Sequence, residues 1–255
     1  MAWPRIEDRR LLIGLLATLI ALAWWALWIG ETAPWGHYVL HSSHALRMNI
    51  PPATFALAFV AGWTLMTVAM MLPTSTPLVL LFYRMVAERG NAGALVTLLI
   101  GGYLAAWALF GVAVHFVSRA LQTWASGNPW LAAHPWVPAS AIFLVAGVYQ
   151  FTPWKYACLD KCRSPMSFLV QHWSGRRAAS DALRLGFHHG AYCVGCCWSL
   201  MLLMFAVATG GLGWMLLLGI VMAGEKNLPW GRKLSAPLGA VLVMAAVGIA
   251  VGFGR

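Results

Sequence analysis

The sequence predicts an all-α membrane protein, a transmembrane helix bundle of about seven crossings. Three observations predict it. Hydrophobic residues make up 61% of the 255-residue chain and charged residues only 9%, against about 25% charged in a soluble domain. The apolar residues come in runs that match a bilayer crossing of roughly 20 residues. The fifteen tryptophans suit a chain with many membrane–water boundaries, where the indole ring settles. A backbone in hydrocarbon must satisfy its polar groups within the segment, and no alternating barrel pattern is present, so each crossing is helical.

The apolar segments lie near 10–29, 54–83, 93–117, 138–152, 191–208, 212–224 and 235–253. No small-residue cleavage site follows Leu11–Ile29, so this run is expected to be a retained first helix and not a signal peptide. Pro73 and Pro77 predict a kink in the second segment. The stretch 191–224, taken as one helix, would reach about 51 Å, well beyond a hydrocarbon core of about 30 Å. "TGGLG" at 209–213 supplies a break, which makes the stretch a hairpin of two short crossings.

Charge then sets the orientation. With the N-terminus in the cytoplasm, the inner segments carry Arg5, Arg9, Arg10, Arg84, Arg89, Lys155, Lys161, Arg163, Arg176, Arg177, Arg184, Lys226, Arg232 and Lys233. Only Arg47, Arg119 and Arg255 fall outside, so 14 of the 17 basic residues are inner, as the positive-inside rule requires. The same distribution accounts for the net charge of +10 without nucleic acid, because no basic cluster interleaved with aromatics stands in a soluble segment. The chain reads as a single integral membrane domain, 1–255, with one sizeable inner loop at 153–190. Residues 165–185 of that loop are expected on the membrane surface, with Met166, Phe168, Leu169 and Trp173 facing lipid.

All five cysteines fall on the inner side in this arrangement. Cys158 and Cys162, in "ACLDKC", are one helical turn apart. Cys193, Cys196 and Cys197, in "YCVGCCW", stand at i, i+3 and i+4 where the fifth crossing is expected to begin. A reducing compartment keeps them as thiols. Two adjoining helix ends would converge up to five sulfurs, beside His188 and His189, with a helix N-terminus, Lys155, Lys161 and Arg163 favouring the thiolates. Thiolates are soft ligands for Cu(I), Zn(II) or iron–sulfur clusters. Zinc is disfavoured because no second C-x-x-C pair completes a zinc-ribbon pattern.

The stretches "MTVAMMLP" (66–73), "YQFTPWKYACLDKCRSP" (149–165), "GAYCVGCCWSLM" (190–201) and "EKNLPWG" (225–231) resemble the bacterial predicted metal-binding integral membrane proteins, a family built on a domain of unknown function. Its members are described as copper chaperones or copper-handling proteins. The resemblance implies a metal site at Cys158, Cys162, Cys193, Cys196 and Cys197, with the methionines of the second helix associated, in a multi-pass protein of the bacterial inner membrane. The turn "ATGGLGWM" lacks the methionine expected before Trp214.

Two further clusters fit soft-metal traffic. Met66 and Met70, one turn apart in the second crossing with Met71 beside them, offer thioethers that bind Cu(I) without deprotonation. His37, His41 and His44, at i, i+4 and i+7 in "HYVLHSSH", would share a helical face on the outer side and suit capture of copper or zinc. Glu225 and Lys226 are expected as a solvated helix end, and Asp160 as a solvated turn residue. The leading expectation is therefore a Cu(I)-binding protein of copper delivery or homeostasis, working with the lipid bilayer, the metal ion and a copper-receiving protein or membrane complex. The expectation leans away from an enzyme. The alternatives are a thiol–disulfide oxidoreductase using "CVGC" with a quinone and a structural subunit of a membrane complex. No phosphate loop, Ser-His-Asp arrangement or paired acid–base carboxylates occur, so hydrolysis and nucleotide chemistry are not expected.

Overall fold

The structure, a computed structural model, describes residues 6–32, 51–206 and 211–253. Helix α1 covers Ile6–Thr32, α2 Pro52–Met70, α3 Leu72–Val86, α4 Ala92–Ser126 and α5 Pro129–Ala133. Then come α6 at Val137–Tyr149, α7 at Pro153–Arg163, α8 at Pro165–His172, α9 at Ala178–Ala206, α10 at Leu212–Asn227 and α11 at Ser235–Phe253. A 3₁₀ turn, Gly231–Leu234, precedes α11. No strand occurs among the described residues. Five helical segments are long and apolar enough to cross a membrane: Arg9–Thr32, Ala53–Met70, Ala92–Ser126, Ala178–Ala206 and Gly231–Phe253.

Proline does much of the punctuation, because its missing N–H costs nothing in the first turn of a helix. It sits at the first or second position of α2, α3, α5, α6 and α8. Asn128 adds a side-chain cap to α5 by accepting from the Trp130 N–H at 3.0 Å. Between α8 and α9, Gly175 takes a positive φ of 70°, a conformation that favours glycine.

Several boundaries differ from the hydropathy segments. The expected single crossing at 54–83 is two helices, broken at Met71, where Pro73 opens the second. Pro77 is accommodated inside α3. Segment 138–152 yields the 13-residue α6, about 20 Å long at the helical rise. The fifth segment starts far earlier than expected, at Ala178, in a 29-residue helix. Helix α9 ends at Ala206 and α10 begins at Leu212, so the stretch 191–224 is divided in two as expected. The inner loop 153–190 is itself mostly helical, formed by α7, α8 and the first part of α9.

The chain divides into two compact units, Met1–Val112 with Lys161–Tyr192, and Ala113–Asp160 with Cys193–Arg255. In the first, Gly102, Gly186 and Gly190 let α4 and α9 approach closely. A Cβ on Gly190 would lie 2.8 Å from the Tyr103 carbonyl oxygen, and one on Gly186 would collide with the Leu99 backbone. Small residues four apart serve this purpose in membrane helices, where close backbone approach replaces the hydrophobic drive. Trp63, Met71, Phe82, Leu99 and Trp107 fill the core of this unit. Phe168 and Leu169 are buried in it too, at 1% and 0% exposure. They therefore do not face lipid, and only Met166 of α8's expected lipid-facing residues is exposed. Phe168 is held by ring contacts to His172, His189 and Tyr192, and Trp173 packs edge-on against Phe82 at 4.9 Å.

The second unit has a comparable contact between α6 and α11. A Cβ on Gly147 would stand 3.0 Å from the Gly239 carbonyl oxygen and 2.9 Å from the Val243 nitrogen. One turn from the helix end, Ser140 Oγ donates to the Ala246 carbonyl at 2.9 Å. This packing fixes the start of α7 and the side chains before it, among which the candidate site is built.

Candidate metal centre

Cys193, Cys196 and Cys197 lie near the middle of α9 and are buried, at 0%, 0% and 1% exposure. The expectation that they open a helix is therefore overturned, and with it the contribution of a helix N-terminus, whose field fades within the first turn. Their spacing still places them together. Cys196 Sγ donates to the Cys193 carbonyl at 3.3 Å and stands 3.3 Å from Cys197 Sγ.

Cys158 joins them from α7. Between Cys193 and Cys196 the backbone is bare at Gly195, and a Cβ there would come within 2.6 Å of Cys158 Sγ. Glycine thus leaves the space in which the Cys158 sulfur sits against α9. Tyr149 closes the same place by donating its hydroxyl to the Gly195 carbonyl at 2.5 Å, with its ring edge-on to Trp198. All five cysteines are free thiols. Burial pushes the Cys158 thiol above its ordinary pKa, because desolvation penalises the thiolate.

Lys155 is expected near these sulfurs, whereas the burial of Glu225 and Lys226 is not. Glu225 and Lys226 are 1% and 6% exposed, so they are not a solvated helix end. Lys226 Nζ donates to Cys193 Sγ at 2.8 Å. Glu225 is tied to Lys155, whose ammonium reaches its two carboxylate oxygens at 2.9 and 2.7 Å. Ser235 Oγ donates to the same carboxylate at 2.6 Å, and Lys155 also donates to Gln150 Oε1. Gln150 in turn donates to the Ala146 carbonyl at 3.2 Å and lies 3.5 Å from Ser199 Oγ. Five segments, α6, α7, α9, α10 and α11, are thereby joined by one polar network, the arrangement that buried charge requires. Asp160, by contrast, is on α7 and half-exposed, 3.5 Å from Arg232 Nε.

The other expected ligands are placed elsewhere. Cys162 is half-buried, one turn beyond Cys158 on α7, and belongs to the first unit. Met66 and Met70 are also in the first unit, buried at 8% and 2% exposure. His189 belongs there too, stacked on Tyr103 at 5.8 Å, while His188 meets His172 at 5.4 Å. His37, His41 and His44 lie outside the described residues. Among the described residues, no three His, Cys, Asp or Glu side chains already form a ligand shell. What the second unit offers is a set of closely spaced thiols with a cation at one sulfur. Donors of this kind suit a soft ion of low coordination number, which needs fewer than three preformed ligands.

The thiols, the buried Glu225–Lys226 pair and the packing that surrounds them all fall within one stretch that known proteins share. A family model described as PpoB2, copper chaperone, matches residues 60–249. No curated protein and no solved structure matches the chain. A match over that much of the sequence shows descent, and the chain belongs to this copper chaperone family.

Proposed function

We propose that the protein binds Cu(I) through its thiols and passes it to a receiving protein or membrane complex. It would do so as a multi-pass protein of the bacterial inner membrane, with its N-terminus in the cytoplasm. The single observation that carries this reading is the collection of Cys158, Cys193, Cys196 and Cys197 around Gly195, with Lys226 on the Cys193 sulfur. Copper is the cargo here, and the chemistry is ligand exchange. Each thiol that engages Cu(I) gives up its proton, and an incoming thiolate replaces one already bound. A metal–thiolate bond of about 2.3 Å sets two sulfurs about 4.6 Å apart across a linear ion. The pair at 3.3 Å therefore has to open slightly on loading, which leaves room for exchange with a third thiol. Cys158 is well placed for that step, and Cys162 lies one turn further along the same helix. Met66 and Met70, and His37, His41 and His44, serve as transfer sites toward this centre.

Metal content of the purified protein tests the reading. Loaded anaerobically with Cu(I) and challenged with a chromophoric Cu(I) chelator, the wild type should retain copper. A variant with serine at all five cysteines should retain none. Met66→Leu with Met70→Leu should keep the bound copper but slow its arrival from one side of a vesicle. Equal retention by the serine variant would remove the thiol site. A trapped mixed disulfide, with no copper retained, would instead support the oxidoreductase.

A further inference from the structure

We propose that a groove between α1 and the start of α4 holds an acyl chain of one anionic phospholipid, whose headgroup phosphate pairs with Arg89.

The groove measures about 490 Å³, within the roughly 300–1,000 Å³ of small-molecule sites. It lies wholly in the first compact unit. Leu11, Leu15 and Leu19 line it on α1, and Val96 and Ile100 line it on α4. Leu11 to Leu19 and Ala92 to Ile100 each advance about 12 Å along a helix. The apolar spans of the two helices begin beside this groove, at Arg9 and Ala92, so one end of it stands at the membrane boundary. Arg89 is at that end, three residues before α4, and is the one charged side chain among the described residues that line the groove. The backbone next to it is open, since a Cβ on Gly90 or Gly93 would meet nothing within 4 Å.

Arg89 is held in place with its hydrogen-bond donors unused. Its guanidinium stands over the Trp173 ring at 5.6 Å, a cation–π contact, and Trp173 packs edge-on against the buried Phe82. Gly175 leaves room for it, because a Cβ there would come within 3.1 Å of an Arg89 terminal nitrogen. Stacking covers one face of the guanidinium and leaves its edge, the fork of N–H groups that takes phosphate oxygens in pairs. Among the described residues, no carboxylate forms an ion pair with Arg89 and no acceptor takes its side-chain N–H groups. A cation at the boundary with an apolar trough behind it complements an amphiphile with a negative head. In a bilayer the trough itself selects weakly, since lipid tails are as apolar as leucine, so the headgroup decides which lipid stays. A basic residue at the membrane boundary favours anionic lipids. Zwitterionic lipids carry a phosphate too, but also a cation of their own that competes with Arg89 for it.

The test uses the full-length protein, delipidated in detergent and titrated with dioleoyl phosphatidylglycerol or dioleoyl phosphatidylcholine, with lipid binding read by native mass spectrometry. The wild type should bind its first phosphatidylglycerol about fivefold more tightly than its first phosphatidylcholine, the scale of one basic residue at a charged membrane surface. Arg89→Gln should bring that ratio to about one. Arg84→Gln removes an exposed arginine that does not line the groove and should keep the wild-type ratio. Leu15→Trp puts a large ring into the groove at a position that is 61% exposed, where the fold tolerates bulk, and should weaken both lipids together. A wild-type ratio near one, or an unchanged ratio in Arg89→Gln, would overturn the proposal. An equal fall in Arg84→Gln would reduce the preference to general surface charge and overturn it as well. Lipid binding indifferent to Leu15→Trp, or a dimer that excludes lipid until Leu15 is replaced, would assign the groove to another occupant.

Discussion

Gly195 shows how a single absent side chain organises this centre. A methyl group there would meet Cys158 Sγ at 2.6 Å and its Cβ at 3.3 Å. The sulfur is at the end of a short side chain and must swing away. Gly195→Ala should therefore separate Cys158 from the α9 thiols while sparing most stability, at a cost of about 1–3 kcal/mol for overpacking. Copper retained by Cys193, Cys196 and Cys197 should persist, and copper handed on through Cys158 should slow. A transfer rate equal to wild type would separate Cys158 from the exchange step. The same thiol carries a pH signature. Its pKa is raised by burial, so folding favours the neutral form. The stabilisation from that preference is complete below the ordinary thiol value of about 8.5 and is lost as pH rises through the folded value. In a variant with serine at the other four cysteines, alkylation of Cys158 should reach half its limiting rate at a pH above that of free cysteine. A midpoint at or below the free value would contradict the burial seen here.

At the scale of elements, the buried network ties α7 to α10 and to the start of α11 through Lys155, Glu225 and Ser235. Removing one partner strands the other in the interior. Glu225→Gln should lower unfolding stability by about 3–5 kcal/mol, whereas replacing Lys155 and Glu225 together with Met and Leu should cost much less. Thermal unfolding of the two variants in one detergent measures the difference, and equal losses would show that shape matters there more than charge. This network also marks the limit of what was legible in the sequence. The apolar segments located the long helices, because hydrocarbon thickness imposes a length that hydropathy reports. It does not report where a helix continues through polar residues, so α9 was expected to begin thirteen residues late, at 191, and α4 was expected to stop at 117 instead of Ser126. Among the site residues the cysteines were conspicuous by their density. Lys226 was not, because an adjacent Glu–Lys pair at a helix end reads as solvated. Only the fold shows that each finds a partner inside. The apolar helix end and the "EKNLPWG" stretch were the available signals.

Across the whole molecule, the number of crossings depends on helix length and on where the charges fall. Five are long enough. Helix α6, with 13 residues, and α10, with 16, reach only about 20 and 24 Å, so each would need local thinning of the bilayer or support from neighbours to span. Charge distinguishes the possibilities. If both cross, 14 of the 17 basic residues are inner. If neither crosses, Lys155, Lys161, Arg163, Arg176, Arg177 and Arg184 move outside. The inner count falls from 14 to 8 and the outer rises from 3 to 9, which erases the asymmetry that sets orientation. The charge asymmetry therefore supports the expected seven crossings over five, and labelling tests the difference. The two topologies share the same termini and differ on either side of α6. With all five native cysteines replaced by serine, a single cysteine at Gly127 should react with a membrane-impermeant maleimide on intact spheroplasts. One at Gln171 should react only after permeabilisation. Labelling of both from the same side would mean that α6 does not cross, and would move Lys155 and Cys158 to the outer face, where a cytoplasmic recipient has no access to the copper.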